Sequence, residues 1–319
     1  MTVPPFTLRV ALVMAALSVS PRTLADELPV GGARVEAPVP QGKHCLDEPI
    51  RKLLLSQRLL AQVNAPGGEH QLQLSLCIPL IREPGALYDL TNIEVGVSNS
   101  LSPTFVQQGG FVGITPLSVL KLKAELAGIY LWTIPLKGSG YYAFPSYDAD
   151  FSEDTRPKGD GDTAGGYVLT MSATLRGRIG PSDGVGLLMT DTFQAERWSL
   201  GDGPYYYNGW RDILLKSTDW VVRNNGMLLV EIPISSNAST RVGATDETTV
   251  APESGRTTNL LAGFVALRFR RVGAVFQDLQ PFLRVGGFTH HASSSGFRTG
   301  EATLILGAST VYELARLDP

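Results

Sequence analysis

Cysteine, histidine and charge are all scarce in this chain. Of 319 residues only two are cysteines, Cys45 and Cys77, and four are histidines. That excludes a disulfide-dense scaffold and leaves no Cys/His cluster for a zinc centre. Lys, Arg, Asp and Glu make up 18 % of the sequence and the net charge is −3. Globular chains carry about a quarter of charged residues, and so weak a balance gives no electrostatic footprint for a nucleic-acid partner. Long apolar runs are missing too. Beyond the N-terminus none reaches the roughly 18 residues that would suggest a spanning helix.

What the chain has in quantity is glycine, proline and apolar residues: 34 Gly, 21 Pro and 43 % hydrophobic. This composition leans towards strands and turns. Residues 1–25 place Arg9 ahead of a short apolar core, residues 10–19, and end in Thr23-Leu24-Ala25 before Asp26. That order of features predicts a cleaved signal peptide. Its removal takes away Arg9 and Arg22 and leaves the mature chain at net −5. In an exported chain Cys45 and Cys77 are candidates for a disulfide.

Residues 26–67 read as a periplasmic N-terminal segment. The first part, 26–42, is rich in Pro and Gly. Residues 46–63 fit two readings: Asp47 with Pro49 resembles a helix start, whereas Leu53, Leu55, Leu59, Ala61 and Val63 fall on one face of a strand.

From residue 68 to 319 a period of two recurs. Residues 118–132 show it most clearly, with Leu120, Leu122, Ala124, Leu126, Gly128, Tyr130 and Trp132 on one face and Lys121, Lys123 and Glu125 on the other. At helical spacing these lysines and leucines would mix on every face. The alternation returns in 70–81, 92–101, 166–180, 185–198, 211–223, 227–235, 259–271, 277–293 and 301–314, and more weakly in 105–115, which ends in a tight turn at Pro116. Asp191 breaks the apolar face of its segment, which predicts a bulge or a place near the rim there. Asn224-Asn225-Gly226 reads as a hairpin turn, and residues 236–258 as a long polar loop.

Connections alternate long and short from residue 137 onward, beginning with the long acidic stretch 137–165. A transmembrane β-barrel has short periplasmic turns and longer outer loops, so 118–132 is expected to run outward. The predicted fold is an all-β, antiparallel transmembrane barrel of about 12 strands, or 10 if the early segments are not strands.

With its signal peptide, amphipathic strands and the aromatics Trp132, Trp198, Trp210, Trp220 and Tyr312, the chain resembles bacterial outer-membrane β-barrel proteins. It departs from them at its end, continuing past Tyr312 where such proteins often finish on an aromatic residue. The resemblance implies a monomer in the outer membrane of a Gram-negative bacterium, with outer-membrane lipids and the barrel-assembly machinery as partners. It implies a narrow pore or a structural wall, without cofactor or metal.

The inward charges expected to line the lumen are Lys121, Lys123, Glu125, Arg176, Arg178, Arg268, Arg270 and Arg284. Cations outnumber acids, so an open channel would favour anions. An alternative reading is enzymatic. His291 and Ser293 match the His-x-Ser spacing of outer-membrane lipid hydrolases, with Glu301 as the group that would orient the histidine, on a face shared with Leu283 and Val285. The acids between Asp148 and Asp162 offer hard oxygens to a divalent cation but match no loop motif. A soluble β-sandwich or lipocalin-like binder is the third reading.

Overall fold

The computed structural model describes residues 50–317 apart from 65, 82–87, 89–90, 135–139, 153–154, 156–162, 182, 201–204, 210, 273–275 and 292–297. The predicted signal peptide and Cys45 lie outside the described residues. The strands are β1 (Lys52–Val63), β2 (Gly67–Pro79), β3 (Asn92–Ser102), β4 (Phe105–Leu117), β5 (Leu120–Trp132), β6 (Ala143–Phe144), β7 (Thr163–Ile179) and β8 (Gly186–Leu200). They continue with β9 (Tyr205–Asn208), β10 (Ile213–Lys216), β11 (Thr218–Ser235), β12 (Ala238–Ala251), β13 (Arg256–Val272), β14 (Phe276–His290) and β15 (Ala302–Arg316).

Twelve of them close into one antiparallel barrel, in the order β1-β15-β14-β13-β12-β11-β8-β7-β5-β4-β3-β2. The seam is the pairing of first strand with last, from Lys52 opposite Arg316 to Val63 opposite Leu304. The remaining three, β6, β9 and β10, form a small separate sheet. Residues 46–63 therefore resolve as strand from Lys52 onward, and the count is 12 rather than 10.

Alternation decides which way each strand turns its side chains. Leu59, Val97, Leu126, Phe193, Ile234 and Leu261 are exposed on the outside of the wall, together with many other large apolar side chains. Their neighbours in sequence face the lumen, where Glu196, Glu231, Thr245 and Arg284 are buried. A soluble sheet would bury the apolar face and expose the polar one. Here the order is inverted, which is the arrangement of a barrel whose outer surface meets lipid.

Twelve strands emerge although two sequence expectations fail, because the failures cancel. β11 runs through Asn224-Asn225-Gly226 without turning: Asn224 pairs with Phe193 on one side and Thr248 on the other. The reversal falls at 236–237 instead. What read as a polar loop contains β12, which carries polar residues on both faces, Arg241 and Glu247 inward and Asp246 and Thr248 outward. Alternation is invisible in such a strand. The expected turn at Pro116 also shifts, to 118–119, with β4 continuing through a register break between Ile114 and Leu117.

Asp191 sits neither at a bulge nor at a rim. It lies within β8 in unbroken register, opposite Gly226, which faces Asp246 on its other side. Asn224 donates to Asp191 at 2.7 Å and Asn259 to Asp246 at 2.6 Å. Side-chain amides thus satisfy two carboxylates on the outer wall. Trp198 faces inward with Glu196, 1 % exposed, and belongs to a buried cluster.

At the end where β1 begins and β15 finishes, the termini end of the barrel, the connections are 118–119, 180–185, 236–237 and 273–275, all short, and 80–91, which is not. At the far end, 133–162 and 201–217 are long, and they supply the strands of the small sheet.

Candidate functional site

The small sheet is a lid across the far end of the lumen. β9 and β10 form a hairpin, with Asn208 opposite Ile213, whose turn carries Arg211 and Asp212. Asp212 has φ of 50°, a conformation that aspartate tolerates better than most residues. Apolar packing holds the hairpin down. Tyr206, Ile213 and Leu215 join Trp198 and Val221 of the barrel wall, while Tyr207 and Leu214 pack with Phe144 and Phe151.

Two charged groups on the turn complete the attachment. Arg211 reaches the wall and grips both carboxylate oxygens of Glu196, which also accepts Trp198 Nε1 at 2.8 Å and Gln194 Nε2 at 2.6 Å. A fork-to-fork pair of this kind adds geometric specificity to charge. Asp212 gathers Tyr207 Oη at 2.8 Å, His291 Nε2 at 3.1 Å and Arg298 Nε at 2.6 Å, and Arg298 also donates to Asn64 Oδ1. Three connections, 201–217, 291–301 and 64–66, are thereby joined through one carboxylate. Burial alone would raise the Asp212 pKa, but the bond from His291, the charge of Arg298 and the Tyr207 hydroxyl hold it below the ordinary aspartate value.

Under this lid is a cavity of about 820 Å³. Its lining mixes amides (Gln71, Gln73, Gln107, Gln194, Asn225) and hydroxyls (Ser98, Ser100, Thr170, Ser172, Thr192) with charged groups. Most of the charges are paired, within a strand or across strands. Lys123 meets Glu125 at 2.7 Å, and Glu247 receives both Arg223 and Arg284, the latter at 3.4 Å. Glu69 accepts Ser100 Oγ, and Gln71 Nε2 at 2.8 Å. Arg58 of β1 is also in the lining, beside the ring of Phe282 at 5.9 Å.

The floor is apolar. Leu229, Phe264 and Ala266 pack with Leu188, Met227 and Phe282, and the rings of Phe264 and Phe282 stack with centroids 5.7 Å apart. Phe282 lies over Gly307, where a Cβ would collide with its ring. Beyond the floor, towards the termini, a charged network is centred on Glu231. It binds Arg178 at 2.8 Å, Arg241 at 3.1 Å, Arg268 at 3.8 Å and Ser239 Oγ at 3.0 Å. Arg268 is shared with Asp278 at 2.5 Å.

The structure brings Lys123, Glu125 and Arg284 together around the cavity. It places Arg178 and Arg268 in the Glu231 network. Lys121 pairs with Glu94 at 2.7 Å, Arg176 Nε donates to the Ser118 carbonyl at 2.9 Å, and Arg270 is exposed near the end of β13. Arg58, Glu69, Arg211, Asp212, Arg223, Arg241 and Glu247 complete these networks and were missed. Arg58 lay in the helix-or-strand segment and Glu247 in the supposed loop. Arg223 shares the lumen face of its strand with Asn225 and Glu231, a signal that the misplaced turn concealed.

His291 is not on the outer wall. A register break between Asn259 and Leu260 makes Thr289 the extra residue of β14, so His290 stands opposite Asn259 while His291 turns inward. Its side chain is fully buried among Phe151, Phe288 and Asp212. Its carboxylate partner is Asp212, whereas Glu301 holds Asn64 Nδ2 at 2.9 Å and Arg298 at 3.8 Å. Ser293 lies outside the described residues. Cys77 is fully buried near the termini end and is disulfide-bonded; Cys45, the chain's other cysteine, is outside the described residues. Of the acidic stretch, Asp150 caps Ser152 N at 2.9 Å, and no group of three His, Cys, Asp or Glu among the described residues could hold a metal ion.

No protein-family model matches the sequence, and no curated protein matches it. Among solved structures the chain is similar to the NanC porin, at 10 % identity over 82 % of this chain and 100 % of that one, with a TM-score of 0.38. It is also similar to the beta domain of the Bordetella autotransporter BrkA, at 12 % identity over 83 % and 100 %, TM-score 0.42. The translocator domain of the autotransporter NalP from Neisseria meningitidis matches at 10 % identity over 97 % and 98 %, TM-score 0.41. At identities and scores of this size the similarity concerns barrel architecture alone.

Proposed function

We propose that the chain is a monomeric outer-membrane β-barrel that works as a narrow, lidded pore for small hydrophilic solutes. The carrying observation is the polar cavity of about 820 Å³ inside a wall whose outer face is apolar. In this reading a signal peptide over residues 1–25 is cleaved on export, and the barrel-assembly machinery inserts the chain among outer-membrane lipids. Both termini stand on the periplasmic side and the lid faces outward. The 133–162 and 201–217 connections then fall on the side where barrels carry their longer loops.

Solutes enter at the lid, exchange water for the amides and hydroxyls of the cavity, and leave past the Phe264–Phe282 floor. The floor makes this a restrictive path, so conductance is expected to be small and to flicker as the lid moves. Reconstitution in a planar bilayer tests this: discrete small steps support a pore, and silence at all voltages makes the chain a structural wall. Fractionation tests location, since recovery in the soluble fraction would overturn the membrane assignment.

The hydrolase alternative loses its geometry, because a buried, inward His291 cannot serve a substrate in the lipid layer. Unchanged phospholipid and lipid A deacylation in Ser293→Ala would remove it entirely.

A further inference from the structure

We infer that the cavity is a binding site for a small, hydroxyl-rich solute bearing a single carboxylate, and that Arg58 is the group that recognises the carboxylate. The inference rests on the pore reading for access, and on the following observations for chemistry.

Arg58 is exposed although it sits in the middle of β1 and points into the barrel, so the surface it exposes is cavity surface. Among the described residues no carboxylate lies within ion-pair distance of it and no hydrogen bond engages its guanidinium. The acids that act on it electrostatically are Glu69 and Glu247. Both are already engaged: Glu69 by Ser100 and Gln71, Glu247 by Arg223 and Arg284. Arg284, itself buried, has two further guanidinium nitrogens, Nε and Nη2, without hydrogen-bond partners among the described residues.

Charge decides how many anionic groups fit. Around the cavity Arg58, Lys123, Arg211, Arg223 and Arg284 face Glu69, Glu125, Glu196 and Glu247, with Asp212 committed to Arg298 in the lid. One positive charge is left over. A planar guanidinium with free donors matches a carboxylate in the same fork geometry that Arg211 uses on Glu196. The surrounding amides and hydroxyls both donate and accept, as the hydroxyls of a polyol require. A second negative charge would have to approach Glu69 or Glu247 uncompensated. The Phe282 ring lies 5.9 Å from the Arg58 guanidinium carbon, a cation–π neighbour that consumes no donor.

The test is isothermal titration of the full-length barrel in detergent with glucuronate, glucose and glucose 6-phosphate. Glucuronate is expected to bind, and the other two at least about tenfold more weakly. Arg58→Gln should weaken glucuronate by about tenfold or more, Arg58→Lys by less, and Lys216→Gln, in an exposed pair outside the cavity, not at all. Folding of each variant is checked by heat-modifiable gel migration, and Arg58→Lys keeps the test open if Arg58→Gln does not fold. Equal binding of glucose, tighter binding of glucose 6-phosphate, no glucuronate binding, or undiminished binding in both Arg58 variants overturns the site. Because titration needs no current, a silent bilayer with intact binding defeats the pore and spares the site.

Discussion

The two halves of the lumen are built from the same twelve strands and solve the same problem differently. Towards the lid, inward positions are amides, hydroxyls and charged groups around open space. Towards the termini, Leu188, Met227, Leu229, Phe264 and Phe282 pack into an apolar cluster on the inner wall, and Glu231 then ties three arginines together. Period-two alternation fixes which residues point inward but not whether they meet in the middle. Residue volume decides that: large inward side chains narrow the bore, and small ones leave it hollow.

The largest effect is expected from emptying the filled half. Phe264→Ala and Phe282→Ala should each cost about 3 kcal/mol of stability, at the low end for a buried aromatic because the lumen can admit water. Combined, they should raise single-channel conductance several-fold; an unchanged conductance would show that the floor is not the constriction. Glu231→Gln comes next. It leaves Arg178, Arg241 and Arg268 facing one another, which should cost about 3 kcal/mol, read as a lower midpoint of heat-modifiable migration. Gly307→Ala, pressing on the Phe282 ring, should disturb the floor by about 1–3 kcal/mol and alter conductance in the same direction as Phe282→Ala.

The lid half is expected to be more sensitive to pH than to packing changes. The folded pKa of Asp212 is depressed, so its contribution is fully present above the unfolded value of about 3.9 and is lost as pH falls through the lower folded value. Amide exchange in residues 205–216, taken relative to its intrinsic rate, should therefore accelerate on acidification below about pH 4. Asp212→Asn should bring that acceleration to neutral pH and cost about 1–3 kcal/mol of lid docking. The smallest effect is Lys216→Gln, whose exposed pair with Glu253 should change stability by less than about 0.5 kcal/mol.

The wall was legible in the sequence, and the site only in part. Strand faces follow from alternation, so Lys123, Glu125 and Arg284 could be assigned to the lumen before any fold was known. Three kinds of information were not local. β12 is polar on both faces and gives no period. Thr289 shifts the phase of β14 by one residue, which carries His291 from the outer wall to the inside. Asp212 and Arg211 sit on a turn whose partners come from elsewhere in the barrel, and nothing in their neighbourhood announces Glu196, His291 or Arg298. Asn224-Asn225-Gly226 shows the converse, turn chemistry overruled by strand partners on both sides.

The seam between β1 and β15 sets a condition on how this molecule comes into being. Leu54 must find Glu313 and Val63 must find Leu304, partners on the first and last strands of the barrel, before the last two strand edges are satisfied. Until that moment β1 and β15 each present a row of unpaired amides and carbonyls that will accept any neighbour. Such long-range pairing is slow on its own. Closure therefore waits for the last strand, and an unclosed chain keeps two edges open to pairing with other chains.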